Sequence, residues 1–241
     1  MSMSRLDVEL TNRGLAKSRN VAQTLIKNGQ VTVNGKLVNK ASAMVEDTDL
    51  IELTGDLPRF VGRGGEKLEK AIEVFGISLE GCVCVDVGAS TGGFTDCMLQ
   101  NGAKKVFAVD VGTNQLDAKL RADNRVISLE QLDIRKATDE IPPVDFAAID
   151  VSFISLKLIL PEMKRFLKPG KTFVALVKPQ FEAGRKYLNK SGVVKDKSVQ
   201  EKVLADIKEF AEMDGYTVLN HAVSPILGGD GNREFLLFLK N

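Results

Sequence analysis

The stretch VDVGASTGGFTD, residues 85–96, decides the fold of this chain. An apolar strand containing Asp86 runs into a glycine-rich turn, and the residues after the turn are typical of a helix. In a doubly wound parallel sheet, the turn after the first strand lies where nucleotide-like ligands bind. The stretch therefore predicts a ligand that carries a ribose or a phosphate, and the identity of that ligand decides the chemistry.

Pyrophosphate ligands fit this turn poorly. A dinucleotide fold requires G-x-G-x-x-G, and Ser90 stands where the second glycine of that motif would be. A P-loop requires a lysine directly after its last glycine, and no lysine follows Gly92 and Gly93. Neither a dinucleotide nor a nucleoside triphosphate is therefore expected.

A hydrolase is a second interpretation of the same turn. Residues 88–92 match G-x-S-x-G, and the order Ser90, Asp150, His221 is the chain order of an α/β-hydrolase triad. Such an elbow normally follows several strands of the sheet, whereas here only one helix and a small module precede it. His221 is the one histidine of the chain, so His221→Ala tests this alternative.

The third interpretation is S-adenosylmethionine, which has no phosphate. The turn glycines leave room for its methionine moiety, Asp110 ends the next strand and could accept from a ribose diol, and Asp133 could accept from an adenine amino group. Each acid could instead cap a helix. The expected cofactor-binding residues are Asp86, Gly88, Ser90, Gly92, Gly93, Phe94, Asp110 and Asp133.

Beyond residue 65, near-continuous apolar runs alternate with helical patterns, one of them over residues 156–167. This alternation predicts a parallel sheet covered on both faces. The last two strands, within 216–225 and 234–240, are joined by a glycine-rich loop and can pair as a hairpin at the sheet edge. The expected fold class is α/β, with a doubly wound, mostly parallel Rossmann-like sheet that has an antiparallel edge strand.

The N-terminal residues predict a separate α+β module. Helical patterns cover residues 5–13 and the segment from Ser18 to Gly29, and a hairpin then turns at Asn34-Gly35 before a strand within 49–53. A chain of 241 residues has room for one medium and one small domain. The expected boundaries are an N-terminal domain over 1–57, a linker over 58–65 and a second domain over 66–241.

The net charge of +1 hides a basic N-terminal segment. Residues 5–40 hold seven Lys and Arg against two acids, whereas residues 41–57 hold five acids and no base. Such clustering is typical of a surface that contacts nucleic acid, although charges on a solvated surface look the same. The expected RNA-binding residues are Arg5, Lys17, Arg19, Lys27, Lys36 and Arg63.

The cysteines and the hydropathy exclude several other classes. Cys82, Cys84 and Cys97 have neither a disulfide framework nor paired metal-ligand spacing, so no metal site is expected. No signal-peptide core and no run of 18 apolar residues is present, so we expect a cytoplasmic protein without a membrane partner.

Two resemblances cover the chain. Residues 5–38, RLDVELTNRGLAKSRNVAQTLIKNGQVTVNGKLV, resemble the S-four RNA-binding domain, named after a small-subunit ribosomal protein. From Val61 onward the chain is similar to FtsJ-type ribose 2′-O-methyltransferases, through RGGEKLEKA, DVGASTGGFTD, DVSFISL, LVKPQFE and GNREFLLFL. The two together resemble the TlyA family, whose members are named haemolysins or rRNA 2′-O-methyltransferases.

The resemblance implies a catalytic tetrad formed by Lys67, Asp150, Lys178 and Glu234. A ribose 2′-hydroxyl is a poor nucleophile, so its proton must be removed as the methyl group arrives. Two neighbouring lysines repel each other's charge, which makes a neutral amine more accessible near pH 7. Lys178 is the expected base, and Asp150 and Glu234 are expected to orient the lysines.

The implied function is S-adenosylmethionine-dependent methylation of a cytidine ribose in ribosomal RNA, most readily of the large subunit and also of the small. The alternatives are a membrane-active haemolysin and a non-catalytic RNA binder in ribosome assembly. Residues 182–197 carry five Lys and Arg and are either a mobile lid over the substrate or a solvated loop. The linker is either a rigid coupler or a hinge that RNA reorganises, and Arg59 and Phe60 would be the residues to change.

Overall fold

The structure is a computed structural model that describes residues 3–16, 18–27, 29–54 and 59–241. The chain divides into two compact units, Met1–Leu57 and Pro58–Asn241. Each unit has its own hydrophobic core.

In its described residues, the N-terminal unit has two helices and five short strands. These elements are β1 (Met3–Arg5), α1 (Leu6–Asn12), α2 (Arg19–Lys27), β2 (Val31–Val33), β3 (Lys36–Leu37), β4 (Met44–Glu46) and β5 (Ile51–Leu53). Strand β2 pairs antiparallel with both β3 and β5, and β1 pairs antiparallel with β4. The core lies where the apolar faces of α1 and α2 meet, and Leu6, Leu10, Leu25 and Ile26 are almost fully buried there.

The predicted local signals of this unit are confirmed. Asn34 and Gly35 have φ angles of 51° and 74°, as a two-residue hairpin turn with left-handed central residues requires. The Ser18 hydroxyl accepts the Val21 N–H, and the second helix ends before Gly29. Strand β1 was not expected: Arg5 belongs to it rather than to the first helix, which begins at Leu6.

The second unit alternates strands and helices. Its first half consists of α3 (Gly64–Phe75), β6 (Val83–Val87), α4 (Gly93–Gln100), β7 (Lys105–Asp110), α5 (Ala118–Arg121), β8 (Val126–Glu130) and β9 (Val144–Ile149). Its second half consists of α6 (Leu160–Met163), β10 (Leu167–Val177), α7 (Pro179–Glu182), α8 (Lys197–Met213), β11 (Thr217–Val223) and β12 (Phe235–Lys240). Three 3₁₀ turns complete the unit, over Ile134–Lys136, Leu156–Leu158 and Arg185–Tyr187.

The seven strands of this unit form one sheet in the order β11-β12-β10-β9-β6-β7-β8. The pairs from β10 to β8 are parallel, and β12 lies antiparallel between β10 and β11. The expected α/β fold class is therefore confirmed, including the hairpin of the last two strands at the sheet edge.

Both faces of the sheet are covered, which explains the near-continuous apolar runs. Helices α3 and α4 pack on one face through Leu68, Phe94 and Met98. Helix α8 packs on the other face through Val203 and Ile207.

The single helix expected over residues 156–167 is wrong. The structure has a 3₁₀ turn over Leu156–Leu158 and then the one-turn helix α6, and Pro161 lies in the first turn of that helix. Proline has no N–H to donate and clashes with the preceding turn, so it starts a helix and does not continue one.

None of the helices in the described part of the chain has the length and apolar character that a membrane span requires.

Parallel strands place their carboxyl ends at one edge of the sheet, and ligands bind outside that edge. Strands β6, β7, β9 and β10 end there, and the residues that follow Val87, Ile149 and Val177 are Gly88, Asp150 and Lys178. The polar residues singled out in the sequence are therefore brought to one edge by the topology.

Candidate active site

Four charged side chains from four separate segments meet at the carboxyl edge of the sheet. Lys67 lies in α3, Asp150 follows β9, Lys178 follows β10, and Glu234 directly precedes β12. Lys67 Nζ lies 2.6 Å from Glu234 Oε2 and 4.0 Å from Asp150 Oδ2, and Lys178 Nζ lies 2.5 Å from Asp150 Oδ1. The predicted tetrad is therefore a connected ion-pair network, here called the tetrad.

The tetrad is balanced and buried. Lys67 and Lys178 are each 8% exposed and Glu234 is 2% exposed. Two cations and two carboxylates neutralise one another, which is how a buried charged group avoids a large desolvation penalty. Removing one member would leave an uncompensated charge in the interior.

Glu234 is held in place by its neighbours. The Gln180 side-chain amide approaches Glu234 Oε1 at 3.5 Å. A Cβ at Gly228 would lie only 2.4 Å from the same oxygen, so the loop before β12 passes the carboxylate at a distance that only glycine permits.

Three members of the tetrad, all except Glu234, line a cavity of about 270 Å³, here called the tetrad cavity. Its wall includes Arg63, Lys67, Asp150, Lys178, Phe94, Ser152 and Leu227. A second cavity of about 550 Å³ lies beside it, here called the turn cavity. Its wall includes Val109, Asp110, Val111, Leu132, Asp133, Ile134 and Phe153. Four residues line both cavities, namely Gly88, Ser90, Asp150 and Ser152.

Gly88 brings the backbone of the turn after β6 into close contact with the end of β9. Its φ angle is 86°, and a Cβ there would lie 2.4 Å from the Asp150 carbonyl oxygen. Ser90 also has a left-handed backbone, with a φ of 47°, and its N–H donates to Asp110 Oδ2 at 2.7 Å. The turn is thus fixed against the neighbouring strands before any ligand binds.

Asp110 lies where the sequence predicts it, at the end of β7 in the wall of the turn cavity. Its oxygens accept the backbone N–H groups of Ser90 and Gly112 at 2.7 Å each. An ionised carboxylate has about four lone-pair sites, so each oxygen keeps a further position for a ligand hydroxyl.

Asp133 also lines the turn cavity, but its carboxylate is engaged. It accepts the Arg135 N–H at the start of a 3₁₀ turn and forms a 2.6 Å ion pair with the Arg135 guanidinium. The hydrogen bonds from Arg135 lower the pKa of Asp133. The capping alternative considered for this acid is therefore what the structure shows.

Asp86 is placed beneath the turn and lines neither cavity. It is fully buried, and its Oδ2 accepts the Thr95 hydroxyl at 2.7 Å. Burial raises the pKa of Asp86 to about 7, and the nearby Asp150 charge adds to this effect. Asp86 therefore supports the turn after β6 from below and does not line a ligand cavity.

The start of α4 packs tightly against residues 59–64. A Cβ at Gly93 would lie 2.9 Å from the Gly62 carbonyl oxygen, and a Cβ at Gly92 would overlap Leu120. Phe60 is 5% exposed, and the Val61 N–H donates to the buried Asp96 at 2.9 Å. Asp96 was not predicted from the sequence, where the available signal is an acid in the first turn of α4.

The hydrolase alternative does not survive this geometry. His221 lies in the edge strand β11 and lines neither cavity. Four strand spacings separate β11 from β6, which amounts to about 19 Å. His221 is therefore far outside hydrogen-bonding reach of Ser90.

In the N-terminal unit, Asp7 organises two of the predicted RNA-binding residues. Asp7 is fully buried, and Arg5 and Arg19 each place Nε 2.9 Å from its carboxylate. Gln23 donates to the same group at 2.7 Å, and the Arg5 hydrogen bond holds the pKa of Asp7 well below its usual range. From the sequence alone, Asp7 is only one of the acids that offset the basic charge of the N-terminal segment. An acid two residues after Arg5 is nevertheless a local signal for this contact.

The other predicted RNA-binding residues do not share this cluster. Lys27 and Lys36 are exposed in α2 and β3, and Arg63 is exposed at the wall of the tetrad cavity. Lys17 lies outside the described residues. Arg13 donates to the carbonyl oxygens of residues 46, 47 and 49, so its role is structural.

The expected lid over 182–197 is fixed at both ends. Glu182 accepts the Ser155 hydroxyl at 2.6 Å, and Val194 is 1% exposed and donates its N–H to Asn232 at 3.0 Å. Its five Lys and Arg side chains are exposed. Asn232 also donates its side-chain amide to the Gly192 carbonyl oxygen at 3.1 Å. The lid stays a prediction, and the part between these anchors is residues 183–191.

The described residues hold no group of three or more His, Cys, Asp or Glu side chains arranged for a metal ion. Cys84 and Cys97 are buried, and burial raises the pKa of both thiols.

Sequence profiles of two families match the chain. The profile described as FtsJ-like methyltransferase matches residues 60–241, and the profile described as S4 domain matches residues 4–51. The chain is 46% identical to Hemolysin A of Brachyspira hyodysenteriae, over 96% of this chain and 98% of that protein. It is 40% identical to the 16S/23S rRNA (cytidine-2'-O)-methyltransferase TlyA of Mycobacterium tuberculosis, over 98% of this chain and 90% of that protein.

Solved structures agree with these matches. A Streptococcus thermophilus protein named as a hemolysin superposes with a TM-score of 0.79 at 48% identity, over 100% of this chain and 89% of that chain. An S-adenosylmethionine dependent methyltransferase from Mesorhizobium loti superposes with a TM-score of 0.54 at 13% identity, over 75% of this chain and 100% of that chain. At 13% identity the second likeness concerns the fold alone.

Proposed function

Because this chain belongs to the TlyA family, in which an S-four domain precedes an FtsJ-like methyltransferase domain, we propose that it methylates ribosomal RNA. The proposed reaction moves a methyl group from S-adenosylmethionine to the ribose 2′-hydroxyl of a cytidine. The observation that carries the proposal is the shared wall: the tetrad cavity and the turn cavity meet at Gly88, Ser90, Asp150 and Ser152. A cofactor in one cavity would therefore face a nucleoside in the other.

The turn cavity suits S-adenosylmethionine. Its wall combines apolar residues for an adenine, such as Val111 and Leu132, with the free acceptor positions of Asp110 for a ribose diol. The close approach of Gly88 to the Asp150 carbonyl leaves backbone rather than side chain beside the methionine moiety. When bound, this cofactor supplies a sulfonium methyl group that a ribose oxygen can displace.

Lys178 is proposed as the base. Its Nζ lies in the wall of the tetrad cavity, 2.5 Å from Asp150 Oδ1, and would take the proton of the 2′-hydroxyl as the new O–C bond forms. Asp150 would offset the resulting ammonium charge. The electron pair of the broken S–C bond stays on sulfur, so the atoms and charges balance without a metal or a redox partner.

Lys67 and Glu234 are proposed to position the substrate and to hold the network together. The 2.6 Å pair between them fixes the Lys67 amine, which could donate to a ribose oxygen. Holding the 2′-oxygen in line with the methyl group is itself a large part of the rate advantage.

The substrate side of the proposal rests on charge and exposure. Arg5 and Arg19 present half-exposed guanidinium groups in the N-terminal unit, and guanidinium forks suit RNA phosphates. Phe153 is 91% exposed directly after Ser152, which lines both cavities, and its aromatic ring can stack a splayed base outside the cofactor site. The proposed target is large-subunit rRNA first and small-subunit rRNA second, and the proposed location is the cytoplasm.

The test is methyl transfer from labelled S-adenosylmethionine to purified ribosomal subunits that lack the modification. The labelled position is mapped by resistance of the 2′-O-methylated linkage to alkaline cleavage, with Lys178→Ala as the inactive control. Label on a cytidine 2′-oxygen, absent with Lys178→Ala, is the expected result. Cofactor binding without transfer to either subunit or to naked rRNA would favour an assembly factor, and lysis of liposomes by the pure protein would favour the haemolysin alternative.

A further inference from the structure

We propose that Ser152 is a positioning residue that aims the Lys178 amine at the substrate hydroxyl. The inference rests on the proposed function, because it concerns the base of that reaction. It goes beyond the tetrad, since Ser152 is not one of the four residues that the family resemblance implies.

The starting observation is the pair of contacts made by Lys178. Its Nζ donates to Ser152 Oγ at 2.9 Å and lies 2.5 Å from Asp150 Oδ1. Both oxygens come from the three-residue segment 150–152 that leaves the end of β9, so one short piece of backbone sets both contacts. The Phe181 ring, with its centroid 5.8 Å from Nζ, lies near the same amine.

The stereochemistry of the amine turns these contacts into an orientation. A protonated lysine has three N–H groups, and a neutral one has two N–H groups and a single lone pair. The contact of Lys178 Nζ with Ser152 has hydrogen-bond geometry, whereas the contact with Asp150 Oδ1 is a close ion pair without it. The hydrogen bond to Ser152 fixes the direction of one N–H group, so the lone pair of the neutral amine is confined to the remaining tetrahedral positions, and both Lys178 and Ser152 line the tetrad cavity.

Asp150 alone would leave this direction undefined. An amine with one partner rotates about the line to that partner, and its lone pair then sweeps a cone. A second acceptor fixed to the same backbone segment stops the rotation. Ser152 is itself exposed, and no other hydrogen bond of its hydroxyl is found among the described residues. Removing this hydroxyl should therefore leave the fold unchanged.

The test compares Ser152→Ala, Ser152→Thr and wild type in single-turnover methyl transfer to unmodified ribosomal subunits at saturating RNA. Ser152→Ala is expected to lower the maximal rate about tenfold, the usual size for one hydrogen bond to a charged group. Ser152→Thr keeps the hydroxyl and should restore the maximal rate. Ser128→Ala, an exposed serine in β8, is the matched control and should match wild type.

Cofactor affinity and the RNA concentration for half-maximal rate should be the same in all variants. A Ser152→Ala enzyme with the wild-type maximal rate would overturn the inference, as would a loss that Ser152→Thr fails to restore or that follows weaker cofactor binding. An inactive wild-type enzyme would instead contradict the proposed function itself, so the two failures are distinguishable.

Discussion

The two units of the molecule both bury charged groups, but the ratio of acids to bases differs between them. In the N-terminal unit one buried carboxylate, Asp7, faces two guanidinium groups that are about half exposed, from Arg5 and Arg19. In the second unit two carboxylates face two lysines, and both lysines are buried.

The difference indicates two kinds of work. The excess of exposed cations in the N-terminal unit attracts a polyanion, and the buried carboxylate holds those cations in a fixed geometry, which suits binding. A balanced, buried network keeps its charges away from water, where small changes in position alter proton affinity, which suits catalysis. The account therefore assigns RNA affinity to the Asp7 cluster and the chemical step to the tetrad, and the following changes test that division.

The largest effect is expected from Lys178→Ala. Loss of a general base lowers the rate about 10²–10⁴-fold, and the remaining Asp150 charge also costs stability. Single-turnover methyl transfer measures the first effect, and calorimetric cofactor binding confirms that the variant is folded. Lys171→Ala removes an exposed lysine from the same strand, β10, and should keep the wild-type rate. Equal rates in the two variants would remove Lys178 from the mechanism.

Gly88→Ala tests whether the turn after β6 binds the cofactor, as distinct from the catalytic role of the tetrad. The added Cβ would lie 2.4 Å from the Asp150 carbonyl, so either the turn or the end of β9 must move. We expect cofactor affinity to fall at least about tenfold, because two backbone segments of the shared wall are displaced. Gly81→Ala has a similar φ of 70° but no atom within 4 Å of the new Cβ, so it controls for backbone strain alone. Equal cofactor affinity in both variants would contradict the assigned site.

Asp7→Asn tests whether position or net charge governs RNA binding. The substitution makes the unit more positive, so a purely electrostatic surface would bind RNA more tightly. We expect binding several-fold weaker instead, because Arg5 and Arg19 lose the carboxylate that holds them. Filter binding to rRNA at several salt concentrations measures this, and Glu52→Gln, an exposed acid in β5, gives the same charge change without the contact. Tighter RNA binding by Asp7→Asn would contradict the view that the position of Arg5 and Arg19, and not net charge, governs RNA binding.

The last prediction concerns Asp86 and the pH dependence of stability, and it affects neither RNA binding nor the chemical step directly. Burial raises its pKa to about 7, so the folded state holds a proton that the unfolded state releases near pH 4. This group therefore stabilises the fold most below pH 4, and that contribution is lost as pH rises toward 7. Asp86 should contribute a slope of about 1 kcal/mol per pH unit to the free energy of unfolding across this window, and Asp86→Asn should remove it. Denaturant unfolding of the variant and the wild type at several pH values measures the difference. An unchanged slope would mean that Asp86 titrates normally.

Sequence reasoning reached the fold because the fold depends on local patterns. The Asn34-Gly35 hairpin, the Gly29 stop and the apolar runs of the sheet each follow from neighbouring residues. It also brought Asp150 and Lys178 together, since strand ends meet at one edge of a parallel sheet.

Side-chain direction and burial could not be predicted in the same way. Asp86 and Asp110 belong to neighbouring parallel strands that approach the carboxyl edge, yet Asp86 is buried beneath the turn and Asp110 lines the cavity. The register explains this difference, because Asp86 pairs with Ala108 and Asp110 lies two residues nearer the edge. Ser152 and Asp96 were missed because their partners, Lys178 and the Val61 N–H, are distant in sequence.

The division of labour is tested most directly by comparing two variants in one kinetic experiment on unmodified ribosomal subunits. The double variant Arg5→Ala/Arg19→Ala and the single variant Lys178→Ala are each measured in single turnover as a function of subunit concentration. The account predicts that the arginine variant needs more RNA to reach half-maximal rate but attains the wild-type maximum, while Lys178→Ala binds normally and loses the maximum. A loss of maximal rate in the arginine variant at saturating RNA would contradict the account.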